Sequence, residues 1–405
     1  DWMNIKKIRG QFPVLSTQKE GMPLVYLDSA CMSLKPRAVM DAVVRYYEEY
    51  GACAGRSVHS LSRRVSEEVE HARERLAHFF GCDDAREFVF TKNSTESINL
   101  VAHSLGLKRG DVVLTTDKEH NSNLVPWHML SARAGVVHRV VPSREDNTFD
   151  VEAFKHMMEK DVALVSMVHT SNLDGVSIPA REVIEIAHDH GAVVLLDGAQ
   201  SAPHVPLNLK TLDVDLFACS VHKMAGPTGV GVLYGKYALL EHMQPFITGG
   251  DTVSWSTYAD ATFLEPPHKF EAGLQDYAGI MGAGAAVDFL EGIGMKSIAA
   301  HEHALNRVLD RGLRSIEGCS IIGPNDVSLR GGITSFTLRL AEGDAHDVAL
   351  LLDETHNIAI RSGMFCVHSW FAARKSPAAL RASTYLYNTK DECRTLVEAV
   401  GEVME

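Results

Sequence analysis

Three neighbouring pieces of the chain decide its fold class: VALVSMV at residues 162–168, AREVIEIAHDH at 180–190 and VVLLDGAQ at 193–200. The first is an unbroken apolar run of strand length, the pattern of a strand covered on both faces, and residues 193–196 repeat it. Between them Val183, Ile184 and Ala187 recur at helical spacing, and Gly191 stops the helix. Strand, helix and strand in that order make a βαβ crossover. Helix-like and strand-like segments go on alternating through roughly the first 240 residues, so the chain reads as α/β with a mostly parallel, doubly wound sheet.

Upstream, Val65, Val69, Ala72, Leu76 and Phe79 recur at steps of four, three, four and three, which predicts a long amphipathic helix ending near Gly81, followed by a short strand at 88–90. Beyond residue 260 the pattern changes. Phe336, Leu338 and Leu340 alternate like a half-buried strand, residues 348–352 form a helical apolar face, and 358–360 and 380–387 read as strands. Thr389-Lys390-Asp391-Glu392 is a capping box that opens a C-terminal helix. These elements predict a smaller α+β domain. The expected division is a large domain at 16–260 and a small one built from 1–15 and 261–405, with the Pro- and Gly-containing stretch 249–267 as the connection, its length suiting a functional loop as much as a linker.

A chain of 405 residues exceeds the size of most single cores, and with 45% hydrophobic and 22% charged residues it can bury two. The formal charge of −13 repels phosphate backbones and anionic bilayers, which argues against nucleic-acid and membrane partners. The weakly polar stretch 279–287 is too short and glycine-rich to span a bilayer, and no apolar leader opens the sequence, so the expected location is cytoplasmic. Seven scattered cysteines without a Cys-x-x-Cys pair suit neither a disulfide framework nor a zinc knot, and the odd number leaves a free thiol. The histidine pairs His188/His190 and His301/His303 lie in polar helical segments without matching ligands, so no metal is expected.

Three segments carry chemistry. Ser220-Val221-His222-Lys223 follows the apolar segment 216–218, and a lysine at a sheet mouth beside hydroxyl and imidazole donors can form a Schiff base while its neighbours hold a phosphate. Asp197-Gly198-Ala199-Gln200 directly follows the strand at 193–196, where open parallel sheets bind ligands; the plainer account of Asp197 is a helix cap. Asn93-Ser94-Thr95-Glu96 lies between the strand at 88–90 and a helix expected to begin near Ile98, a place suited either to a phosphate or to simple capping.

Taken with Glu119-His120, Ser171-Asn172 and Arg381-Ala382-Ser383, these segments resemble, in order and spacing, the class V branch of fold-type-I pyridoxal-phosphate enzymes. Within it the likeness is greatest to the group II cysteine desulfurases, also called selenocysteine lyase-like proteins, and it extends from Phe12-Pro13-Val14-Leu15 and Tyr26-Leu27-Asp28-Ser29-Ala30 to Tyr387-Asn388-Thr389. The resemblance implies a large domain with a mostly parallel, seven-stranded type of sheet and pyridoxal 5'-phosphate as cofactor. It implies that Lys223 carries the cofactor, Asp197 pairs with its ring nitrogen, Gln200 and Asn172 contact its hydroxyl, and His120 stacks on the ring. Ser94, Thr95, Ser220 and His222 are then phosphate ligands, and Arg381 with Arg361 takes the substrate carboxylate. Cys366 keeps the family's interval of fifteen residues before Arg381 and is the implied sulfur acceptor.

The implied activity converts L-cysteine to L-alanine, with Lys223, Cys366 and His120 catalytic, a persulfide on Cys366, and a sulfur-acceptor protein or iron-sulfur scaffold downstream. A homodimer with its site near the subunit boundary is also implied. Selenocysteine lysis, another β-elimination or transamination would need Lys223 and Asp197 but not Cys366, and a non-catalytic scaffold would need neither. The chain departs from the family at Met364 and Phe365, where two histidines commonly precede the cysteine, and at Leu274, where a threonine often follows Phe-Glu-Ala-Gly. It departs again after Cys366, where Val367-His368-Ser369-Trp370 replaces a small residue and proline.

Overall fold

The computed structural model describes residues 3–405. Its central sheet comprises β1 (Phe88–Thr91), β2 (Val112–Thr116), β3 (Val137–Val141), β4 (Val162–Val168), β5 (Val193–Asp197), β6 (Leu216–Ser220) and β7 (Gly231–Gly235). The spatial order is β1-β7-β6-β5-β4-β2-β3, and only β7 runs antiparallel to its neighbours. Around this sheet lie α1 (Ser60–Phe79), α2 (Ser94–Ser104), α3 (Ala180–Asp189), α4 (Tyr277–Ile293) and α5 (Met295–Arg314). The fold is α/β, and the crossover is in place, since α3 joins β4 to β5 and Val168 pairs in parallel with Asp197.

The unbroken apolar runs have a simple cause: alternate side chains enter different cores. Val165, Met167, Val194, Leu196 and Phe217 belong to one apolar cluster, whereas Leu164, Leu195, Leu216 and Ala218 belong to another. Burial of each such large side chain is worth roughly 1.5–3 kcal/mol, and the polar exception inside β4, Ser166, is buried with its hydroxyl donated to Asn123 Oδ1. The chemistry-bearing residues begin at the carboxyl ends of the strands.

A second sheet is antiparallel, in the order β8 (Cys319–Ile322), β9 (Ile333–Leu338), β11 (Ala379–Ser383) and β10 (Arg361–Gly363). It packs with α6 (Ala345–His356) and α8 (Lys390–Met404) in a cluster that includes Leu305, Leu309, Phe336, Leu352, Leu380 and Leu396. The capping box at Thr389 is formed, with Thr389 Oγ1 and the Glu392 carboxylate each accepting the other residue's backbone N–H.

Several expectations shift. The helix expected near Ile98 begins at Ser94, because the polar run is itself the first turn and the Asn93 side chain caps it by accepting from Glu96 N. The strand expected at 380–387 ends at Ser383, and the Asn388 side chain turns the chain by accepting from Tyr385 N. Residues 253–263 fold into an exposed hairpin (Val253–Ser256 with Ala261–Phe263) inside the expected connection. The apolar residues fall into separate clusters. Ile8 and Phe12 sit in the large cluster with α4 and Ile298, whereas Val25 and Leu27 join the small one. Along α5 the packing passes from the large cluster at Ile298 to the small one at Leu305, and later in the chain Tyr385, Leu386 and Tyr387 return to the large one.

Among the described residues no single helix is long and apolar enough to cross a membrane. The pair α4 and α5 is bent by 73°, and α4 is buried against α1, where a Cβ at Gly284 would lie 3.2 Å from Ala72 Cβ.

Candidate active site

The carboxyl ends of the central strands converge on a cavity of about 710 Å³ that the second sheet closes from the other side. Its floor is laid by the segments leaving β1, β2, β4, β5 and β6. Ser94, Thr95, His120, Asn172, Asp197, Gln200, Ser220, His222 and Lys223 all line it, and Cys366, Arg361 and Arg381 line it from the second sheet. Every site residue expected from the sequence is therefore in one cavity.

The floor is tightly hydrogen-bonded. Ser220 Oγ accepts from Ser94 N at 2.8 Å and donates to Ser94 Oγ at 2.9 Å, tying the end of β6 to the start of α2. Thr95 Oγ1 lies 2.6 Å from Ser122 Oγ, so two hydroxyls stand beside that helix start. Asp197 is buried, with Oδ1 accepting from Ala199 N at 3.0 Å. Burial pushes its carboxyl up, against the opposing pull of Ala199 N–H and Lys223. Gly198 cannot be larger, because a Cβ there would lie 1.9 Å from the Phe217 ring as the chain leaves β5.

Lys223 follows β6 in a short helical turn, and burial lowers its pKa, with Asp197 opposing and Arg381 adding to the shift. A lowered lysine pKa increases the share of neutral amine, the form a nucleophile needs. The carbonyl just before it, on His222, accepts from Ser33 Oγ at 2.9 Å and Lys35 Nζ at 2.8 Å, which fixes the turn. Burial, helped by Lys223, holds His120 down to about 3, so its ring is neutral at ordinary pH. The neighbouring Glu119 organises the loop, accepting from Thr116 N, Asn123 Nδ2 and Val168 N; burial nevertheless raises its pKa to about 7.

On the opposite wall, Asp28 joins the two arginines. Arg361 NH2 lies 2.8 Å from Asp28 Oδ2, and Arg381 NH2 lies 3.6 Å from Asp28 Oδ1. Arg381 is 3% exposed, donates from NH1 to Asn172 O at 3.0 Å, and keeps its Nε without a partner. Asn172 Oδ1 and Gln200 Oε1 are likewise buried and unpartnered. Three unsatisfied polar atoms on residues lining one cavity mark a site shaped for a polar ligand, since such groups cost about 1–3 kcal/mol each when left alone.

Cys366 sits in the turn between β10 and α7 (His368–Arg374). Phe365 and Cys366 both have left-handed backbones, with φ of 52° and 58°. The turn is held by its carbonyls: Phe365 O accepts from Asn172 Nδ2 and Cys366 O accepts from Asn121 N, both at 2.8 Å. Phe365 packs with Leu173, Val367, Trp370 and Phe371, and the Arg381 guanidinium stands 4.8 Å above its ring. The departure from histidine at 365 thus has a packing role. All seven cysteines are free, and Cys366 is the exposed one. Burial raises Cys82 and Cys393 to about 12 and Cys319 to about 11, leaving those thiols protonated.

Asp28, Cys31, Asn121 and His368 are site features that sequence reasoning does not single out. Cys31 and His368 line the cavity, and Asp28 and Asn121 hold residues that do. Only Asp28 carries a usable signal, as part of the segment Tyr26-Leu27-Asp28-Ser29-Ala30. Glu271, near the expected subunit boundary, is spent internally: the Arg73 guanidinium grips both its oxygens, at 2.6 and 3.0 Å, while Leu274 is 64% exposed. Among the described residues no cluster of three or more His, Cys, Asp or Glu side chains could hold a metal ion.

Comparison with known proteins gives this arrangement a family, because the aminotransferase class-V model matches residues 25–396. The chain belongs to the class-V aminotransferase family. This class-V chain is 41% identical over 407 residues to a probable cysteine desulfurase of Halalkalibacterium halodurans, covering 100% of the chain and 98% of the relative. The apo structure of a cysteine desulfurase from Thermococcus onnurineus NA1 superimposes with a TM-score of 0.93 at 34% identity, covering 99% of this chain and 98% of that one. The cysteine desulfurase CsdA of Escherichia coli, in an S-sulfonic acid form, gives 0.89 at 33% identity with the same coverage. Pyridoxal phosphate fits the donor set: a buried carboxylate and lysine, paired hydroxyls at a helix start, and unpartnered amide oxygens.

Proposed function

We propose that this class-V chain is a pyridoxal-phosphate-dependent cysteine desulfurase that converts L-cysteine to L-alanine and takes the sulfur on Cys366. The observation that carries this reading is the meeting in one cavity of a buried lysine beside a buried aspartate, two arginines, and an exposed thiol. When bound, the cofactor supplies an electron sink for charge left on the substrate's α-carbon.

In this reading Lys223 would hold the cofactor and Asp197 would face its ring nitrogen. Ser94, Thr95, Ser220 and His222 would take the phosphate, Asn172 and Gln200 the ring hydroxyl, and the neutral His120 ring would lie flat against the cofactor. Arg381 has a free guanidinium edge for the substrate carboxylate, and Arg361, tied to Asp28, would close over it. Lys223 Nζ would move the α-proton. Cys366 Sγ would form the S–S bond as the substrate's C–S bond breaks, leaving a persulfide on the loop, and its exposure gives a sulfur-acceptor protein, such as an iron-sulfur scaffold, access to it. A cytoplasmic location and a homodimer belong to the same reading, the homodimer supported by the exposed apolar side chains of Val58, Leu274, Trp255 and Tyr258 on one chain.

Peptide mapping after incubation with L-cysteine tests the proposal. Extra sulfur is expected on the Cys366 peptide alone, and Cys366→Ser should keep its cofactor while alanine formation falls about 10³-fold, a serine hydroxyl being far less nucleophilic toward sulfur. Full turnover by that variant, or persulfide only on Cys31, would overturn it and leave a β-lyase such as a selenocysteine lyase.

A further inference from the structure

A thiol with an ordinary pKa of about 8.5 is only a few per cent thiolate at neutral pH, so an acceptor for its proton decides how fast it attacks. Met364 and Phe365, just before Cys366, cannot serve. Four imidazoles line the same cavity. His120 and His222 belong to the floor, where burial holds them at about 3 and about 4, far too weak to take a thiol proton. His346, from α6, has its Nδ1 2.8 Å from Ser362 Oγ on β10.

His368 is placed differently. It is the first residue of α7, two positions after Cys366, and its Nδ1 lies 3.0 Å from Asn121 Nδ2. The backbone N–H of the same Asn121 donates to Cys366 O at 2.8 Å. One residue from the floor therefore holds both the backbone of the thiol-bearing residue and the imidazole two positions further on, and both Cys366 and His368 line the same cavity.

We propose that His368, oriented by Asn121, is the group that takes the Cys366 proton and stabilises the thiolate before sulfur transfer. This rests on Cys366 being the sulfur acceptor. The step balances simply: the S–H bond breaks, its electron pair stays on Sγ, and the proton goes to His368 Nε2. Asn121 permits both states, because its amide can turn either end toward the ring. With Nδ2 donating, Nδ1 carries the lone pair and the proton sits on Nε2; with Oδ1 accepting from Nδ1–H, Nε2 is free to receive a proton.

The surrounding charges act in the same sense. Arg361 and Arg381 face the cavity as cations. Of the acids near them, Asp28 is taken up by the two arginines, and Asp197 lies on the floor beside Lys223. On α7 itself Arg374 is turned to Asp117 at 3.4 Å. Cys31 is the other thiol in the cavity and competes for no bond that His368 makes.

The test is the pH dependence of iodoacetamide alkylation at Cys366 in the cofactor-loaded enzyme, read by peptide mapping. It needs no substrate, so it can fail independently of the desulfurase reading. His368→Gln should raise the alkylation midpoint by about one pH unit and slow alkylation about tenfold at pH 7. It should lower kcat at pH 7 with little change in KM, and kcat should recover toward pH 9, where the thiol ionises unaided. That alkaline recovery would not follow from mere loosening of the loop. His346→Gln should leave the alkylation profile unchanged. A His368→Gln profile superimposable on wild type, or a shift produced by His346→Gln instead, would overturn the proposal.

Discussion

Asp197, Gln200 and Ser220 on the cavity floor are at most 3% exposed, whereas Cys366 across from them is exposed on a turn with two successive left-handed residues. The floor is held through its side chains, as with Ser220 to Ser94 and Gln200 Nε2 to Ala30 O. The thiol loop is held through its carbonyls, by Asn172 and Asn121, which leaves the Cys366 side chain unengaged. Left-handed backbone costs an L-residue about 1–2 kcal/mol, and here the packing of Phe365 and two backbone-directed hydrogen bonds offset it. The contrast fits the two tasks of the proposed function: a fixed floor to orient a ligand, and a pinned but open loop to present the Cys366 thiol.

The contrast breaks first at Lys223. Lys223→Ala should reduce turnover by about 10⁴-fold or more while leaving the thermal midpoint nearly unchanged, since the side chain contributes reactivity more than packing. Borohydride should then fail to fix any cofactor to the chain; fixation on another lysine would contradict the floor as described. A smaller effect is expected at the wall between the two regions. Arg381→Lys should raise KM for L-cysteine about 10–100-fold and change kcat less, because the planar fork aimed at a carboxylate is replaced by a point charge. Equal loss in kcat and no change in KM would place Arg381 in the chemistry instead. Smallest of the three, Phe365→Ala should cost roughly 2 kcal/mol of local stability and a few-fold in turnover, with faster amide exchange confined to residues 364–367. Unchanged exchange there would show that the carbonyl anchors alone hold the loop.

Much of the floor is legible in the amino-acid sequence, for a physical reason. In a parallel sheet every strand ends at the same edge, so polar motifs that follow apolar runs, such as Asp197 after β5 and Lys223 after β6, gather there without detailed knowledge of packing. The start of α2 lies four residues ahead of where periodicity puts it, because Ser94 and Thr95 have low helix propensity and look like a loop until Asn93 is seen to cap them. Within the stretch 249–267 the hairpin at 253–263 is likewise not legible, because its strands, of four and three residues, are too short for an alternation of apolar and polar residues to stand out.

What the sequence determined by itself is the class of sheet and the edge at which its polar motifs gather, because apolar periodicity and ordered motifs are local properties of a chain. The choice of Lys223, Asp197 and Cys366 as candidates comes from the family resemblance of those motifs. Only the tertiary structure decided that Asp28 is shared by Arg361 and Arg381, that Phe365 fills a cluster beneath Arg381, and that Asn121 meets His368 across 247 residues. Those contacts join residues far apart in the chain, and the Asn121–His368 contact joins the central sheet's edge to the turn beyond the second sheet. Their partners are chosen by how the two sheets close on each other, and no period or local propensity along the chain encodes that closure.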